Sequence, residues 1–174
     1  MIRKQIICKE NLNLNGKSTN REAVRGIIRD DDMLLMIYSE VNGDYKFPGG
    51  GIQESETHAR ALAREIREEC GTEVSYIGDP YAEIHEVDQA MGDEFELFKM
   101  KSTYYPCQIS DTFQELNLDD YEAELKFKPV WVTIAEAVLT NQIILNRKAP
   151  PAPRWTRRDL FVLQKLLEDV QKSR

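Results

Sequence analysis

Residues 57–69 contain neither proline nor glycine and are rich in Ala, Leu, Arg and Glu, which predicts one continuous helix. Pro48 and three glycines, Gly49, Gly50 and Gly51, stand in front of it, and Gly71 is placed to stop it. A helix bounded this tightly needs a surface to lie on, and the flanking segments supply one. "EAVRGIIR" (22–29) and "MLLMIYS" (33–39) are apolar and compatible with strands, and the aspartates at 30–32 between them have the chemistry of a turn, so a hairpin is expected. "YKFPGG" (45–50) reads as a short strand ending at Pro48.

Downstream, "VSYIG" (74–78), "YAEIHEV" (81–87), "EFELFKMKSTYY" (94–105) and "PVWVT" (129–133) are strand-like, and "IAEAVLTNQIIL" (134–145) reads as helix. The proline-rich "KAPPAPRW" (148–155) reads as a stiff connector to a last amphipathic helix with Thr156 as its N-cap and Leu160, Leu163, Leu166, Leu167 and Val170 on its apolar face. Strands flanked by helices predict a layered α/β (α+β) fold with a mixed sheet. At 174 residues the chain is long enough for one domain with a sizeable core.

A net charge of −7 sets the surface against a phosphate backbone, which argues against broad nucleic-acid binding but leaves room for a local basic pocket. Cys8, Cys70 and Cys107 are too few and too widely spaced for a disulfide framework or a zinc site and read as reduced thiols. No window is apolar enough for a signal peptide or a membrane span, so a cytoplasmic protein is expected.

At about 100° per residue, Glu65, Glu68 and Glu69 fall on one helical face, with Ala59, Leu62, Ile66 and Cys70 on another. Like charges at these spacings repel, whereas a solvated face usually alternates them with Lys or Arg. A divalent cation reverses the sign: three oxygen ligands suit Mg²⁺ or Mn²⁺, which commonly bridge to substrate phosphates. Glycines without a Cβ let the preceding loop approach an ion or phosphate closely. Only His58 and His85 are present, which favours carboxylates and metal over histidine chemistry.

The joint spacing from Gly50 to Gly71 is G-x5-E-x7-R-E-I-x-E-E-x-G, and it resembles the signature of the Nudix hydrolases, with one departure at Thr72, where the family has a bulky aliphatic residue. The resemblance implies an α/β/α sandwich with the mixed sheet between helices, a core over residues 20–170 and an N-terminal extension over 1–19. It implies cleavage of a nucleoside diphosphate linked to another group by water attack on phosphorus, with Mg²⁺ or Mn²⁺ as cofactor. On the family pattern Glu65, Glu68, Glu69 and the Gly50 carbonyl are metal ligands, Glu56 stands beside them at the metal site, and Arg64 orients a neighbouring carboxylate.

The family's general base varies. Asp119, Asp120, Glu122 and Glu124 in "LNLDDYEAELKFKPVW" (116–131) are candidates, Glu122 foremost, with Glu94 and Glu96 on the preceding strand as others. Gly49, Gly50, Gly51 and Arg25 are expected at the substrate, and Arg21 is a second cation able to meet phosphates. Tyr38, Tyr45, Phe47 and Trp131 are candidates to stack on a base, though Phe47 and Trp131 are better placed to pack beside the sheet. Asp88 stands where ADP-ribose hydrolases of the family carry a proline, and the tyrosine of the dinucleoside polyphosphate hydrolases is also missing, so neither group is favoured. Removal of pyrophosphate from an RNA 5′ end, cleanup of damaged nucleoside triphosphates, and a nucleotide-sensing domain without catalysis are the alternatives. A homodimer is a further expectation drawn from the family.

Overall fold

The computed structural model describes residues 2–172. In chain order the elements are β1 (Arg3–Cys8), β2 (Ser18–Asp30), β3 (Met33–Ser39), β4 (Tyr45–Lys46), α1 (His58–Cys70), β5 (Thr72–Ile77), β6 (Ala82–Gln89), β7 (Leu97–Phe113), α2 (Asp120–Glu124), β8 (Phe127–Thr133), α3 (Ile134–Asn146) and α4 (Arg154–Lys172). Eight strands form one mixed sheet in the order β1-β6-β7-β2-β3-β4, with β5 also on β7 and β8 on β3. The pairs β1–β6 and β2–β7 are parallel, and the rest are antiparallel.

Two apolar clusters make a two-sided core. Leu62 and Ile66 of α1 pack with Val24, Leu35 and Ile37, while Val162, Leu163 and Leu166 of α4 pack with Met36, Phe47, Ile84 and Tyr104. The α/β class with a mixed sheet is therefore observed, and α1 lies where its glycine boundaries put it. Thr57 accepts the Arg60 N–H, and Gly71 takes the left-handed conformation (φ 68°) that lets its N–H reach the Arg67 carbonyl.

Several expectations are corrected. Residues 3–8 form an edge strand paired with β6, so part of the N-terminal extension belongs to the sheet. Ala59 is exposed, and Ala61, nearly opposite it on the helix, is the alanine that joins Leu62 and Ile66 in the core. β7 starts at Leu97, which leaves Glu94 and Glu96 exposed in the loop before it. Thr156 does not cap α4: the helix starts two residues earlier, and the buried Thr156 hydroxyl donates to Asp44 at 2.8 Å. Trp131 is 42% exposed instead of packing beside the sheet, whereas Phe47 is fully buried against Tyr104. Trp155 forms the aromatic contacts instead, edge-on to Phe127 and Tyr121. Cys8 is exposed and Cys70 and Cys107 are buried, all as free thiols. Among the described residues no helix is long and apolar enough to cross a membrane.

Candidate functional site

The loop between β4 and α1 is fastened to β2 before it meets the helix. The N–H groups of Gly26 and Val24 donate to the carbonyls of Pro48 and Gly50 at 2.8 and 3.0 Å, and the Ile52 N–H returns to Glu22. Gly49 has φ 131°, and a Cβ there would stand 2.2 Å from the Val24 carbonyl oxygen, so only glycine fits. At Gly50 a Cβ would stand 2.4 Å from Glu65 Oε2. The absent side chain is the space the carboxylate occupies.

α1 delivers Glu65 and Glu69 to this loop, and Glu122 reaches them from α2. Oxygens of these three carboxylates lie within 4.8 Å of one another. Glu69 is 1% exposed; it accepts the Gly49 N–H at 2.6 Å and faces the Lys46 ammonium at 2.5 Å. Lys46 is also 4.0 Å from Glu122 and stands over the Phe127 ring. Glu68 lies outside the three-acid group, tied to Arg64 at 3.2 Å on the rim.

Arg64 organises the rest. Its Nε and Nη2 grip both oxygens of Glu56 at 3.0 and 2.9 Å, Nη1 reaches Glu65 at 2.7 Å, and Nη2 also reaches the Gly51 carbonyl at 3.1 Å. Glu56 is its principal partner, with both carboxylate oxygens engaged. The bond to Arg64 holds the Glu56 carboxyl below its usual range.

Among the other candidates, Asp119 caps α2 and lines a cavity together with Arg64, Glu65, Glu68 and Glu122, while Asp120 and Glu124 are exposed. His58 bonds Tyr105 at 2.7 Å and His85 bonds Glu83 at 2.9 Å, both away from the acids. Tyr45 is buried against Tyr38. Arg25, expected at the substrate, is buried: its guanidinium donates to the Gly49 carbonyl and supports the loop from beneath. Lys46 was not anticipated, although its place just before "FPGGG" was in plain view; nothing local announces that a lysine will turn inward.

Five carboxylates, Glu56, Glu65, Glu68, Glu69 and Glu122, converge here on two cations, Lys46 and Arg64. The donor set is all oxygen and leaves an excess of negative charge, which fits a hard divalent cation. Burial raises the Glu65 carboxyl above its usual value, with Glu69 adding to the effect. Burial and the neighbouring Glu69 likewise push Glu122 up to about 7.

A pH dependence follows for the metal-free protein. A carboxyl whose pKa is higher folded than unfolded stabilises the fold fully below the unfolded value and loses that contribution as pH rises through the folded one. Stability should therefore fall between about pH 4.5 and 7, by about 2 kcal/mol or some 5 °C in midpoint after screening, and Mg²⁺ should restore it at pH 8. Thermal unfolding at pH 5, 6, 7 and 8, with and without Mg²⁺, measures this. A flat profile without metal would contradict it.

A model of the NUDIX domain family matches residues 19–156. Solved structures of similar fold include the E. coli ORF135 protein in solution, at 22% identity and TM-score 0.54, covering 86% of this chain and 90% of that one. Another is the MutT NUDIX hydrolase from Burkholderia pseudomallei, at 19% identity and TM-score 0.55, covering 82% and 97%. A third is an ADP compounds hydrolase, at 21% identity and TM-score 0.52, covering 89% and 75%. At these identities the likeness is one of fold. No curated protein matches the sequence.

Proposed function

The chain belongs to the Nudix family of hydrolases, and from that premise we propose that it is an Mg²⁺- or Mn²⁺-dependent pyrophosphohydrolase acting on a nucleoside diphosphate linked to another group. The observation that carries this reading is the convergence of Glu65, Glu69 and Glu122 against Gly50. Those three carboxylates would hold the metal. The Gly50 carbonyl accepts the Val24 N–H, and its second lone pair is the one left for an ion. Bound divalent cations supply charge neutralisation on the phosphates and activate the attacking water.

The chain's own residues do the positioning. Arg64 fixes Glu56 and Glu65, and Arg25 and Glu69 hold Gly49 from its carbonyl and its N–H. Glu122 is the general base in this reading: its carboxyl faces the cluster from a separate element, and an oxygen not engaged with the metal would be left to take the water's proton. Water oxygen bonds to phosphorus, the bridging P–O bond breaks, and the water proton goes to the Glu122 carboxylate. Cytoplasmic residence accords with the three free thiols.

Purified protein incubated with Mg²⁺ and a panel of nucleoside diphosphate derivatives, nucleoside triphosphates and triphosphorylated RNA should release product from the first class, and none when EDTA replaces Mg²⁺. Thermal stabilisation by panel members without product would instead establish a sensing domain. Turnover of the RNA alone would move the assignment to an RNA 5′ end.

A further inference from the structure

Two guanidinium groups flank Gly51. Arg64 donates to its carbonyl and is otherwise committed to Glu56, Glu65 and Glu68. Arg21 lies on its Cα side: a Cβ on Gly51 would stand 2.7 Å from Arg21 Nη2 and 2.8 Å from Nε. Gly51 has no positive φ, so space for this arginine, and not backbone freedom, is what its missing side chain provides.

Arg21 lines the cavity of about 470 Å³ that also contains Arg64, Glu65, Glu68 and Glu122. It also borders the neighbouring cavity, of about 450 Å³, in which Lys99 and Lys101 stand. In a chain with 30 acidic and 23 basic residues, this guanidinium makes no hydrogen bond or ion pair with another described residue. Arg25, four residues along on the same face of the strand, is by contrast spent on the Gly49 carbonyl. One arginine of the pair builds the loop, and the other is left with its donors free at the mouth of the site.

We propose that Arg21 binds the phosphate of the substrate that lies away from the carboxylate cluster, and that Gly51 is glycine because that guanidinium occupies the side-chain space. The inference rests on reading the cluster as a diphosphate-hydrolysing centre. A guanidinium fork matches two phosphate oxygens and discriminates a diphosphate, which spans cluster and arginine, from a single phosphate, which does not. The group beyond that phosphate leads toward the second cavity.

The test is calorimetric titration of inorganic pyrophosphate and, separately, orthophosphate into the protein in saturating Mg²⁺. Arg21→Ala is expected to weaken pyrophosphate by about tenfold or more, the scale of a charge-assisted pair, and to leave orthophosphate affinity and the unfolding midpoint unchanged. Arg21→Lys should recover part of the loss. Gly51→Ala should reproduce it and add nothing to Arg21→Ala, because both remove the same contact. Unchanged pyrophosphate binding in Arg21→Ala, equal losses for both anions, or additive losses in the double variant would overturn the proposal while leaving the reaction class standing. A wild-type protein that binds neither anion would overturn both.

Discussion

Glu69→Gln is expected to lower turnover at least about a hundredfold while leaving the protein folded. The carboxylate is nearly fully buried, accepts the Gly49 N–H, faces Lys46 and belongs to the three-acid group. A glutamine keeps the volume and a carbonyl oxygen for Gly49 but gives up the charge. A loss of about 2.7 kcal/mol in transition-state stabilisation, the equivalent of a hundredfold, is the ordinary scale for removing one preorganised electrostatic group. The metal-free fold should lose some stability, because the buried Lys46 gives up its closest counter-charge and keeps only Glu122 at 4.0 Å, so turnover is compared well below the variant's unfolding midpoint. Steady-state turnover beside thermal unfolding separates the two effects, and unchanged turnover would remove Glu69 from the metal site.

Asp159→Ala is expected to act on stability. The Asp159 carboxylate is fully buried and accepts from Arg158 at 2.9 Å, from the Phe47 N–H at 3.1 Å and from the Tyr104 hydroxyl. Arg158 is itself only 3% exposed and keeps Glu86 at 3.1 Å and the Ser102 hydroxyl at 3.4 Å. Truncation leaves a buried cation short of its closest counter-charge and two donors without acceptors. Breaking a buried pair in this way costs about 3–5 kcal/mol, a large share of the total for a domain of this size, and about 10 °C in midpoint. Chemical denaturation should also show Asp159→Asn as the milder change, since one carboxamide oxygen still accepts. Equal stability of all three proteins would contradict this account of how α4 is docked. The same carboxylate fixes the backbone at Phe47, two residues before Gly49, so α4 also helps to set the loop.

The sequence carried α1 in full because its signals are local: Thr57 and Gly71 at its ends, no breaker between, and an apolar stripe with acids beside it. The motif spacing points to Gly50, Arg64, Glu65, Glu68 and Glu69 together, but that Glu68 stays with Arg64 while Glu122 joins Glu65 and Glu69 depends on contacts the spacing does not carry. Glu122 was reached as one of several acids in a polar segment, and α2 itself was missed because five residues with none buried leave no periodicity to read. β1 was missed for a related reason: "RKQIIC" alternates weakly, and its partner strand lies some 80 residues on. Thr156 carried the local signature of a cap, yet its hydroxyl is claimed by Asp44, 112 positions away. Arg25 and Lys46 show the same limit for charged side chains. A strand pattern fixes which face a residue takes, but the partner that permits burial, the Gly49 carbonyl or Glu69, is supplied by another segment.

The central claim is that Glu65, Glu69 and Glu122 hold a divalent cation, and it can be tested without knowing the substrate. Mn²⁺ uptake followed by the loss of the free-ion signal in electron paramagnetic resonance should show binding by the wild type, competition by Mg²⁺, and marked weakening in Glu69→Gln. A wild-type protein that takes up no Mn²⁺, or a Glu69→Gln protein that takes it up as well as the wild type, would contradict the account.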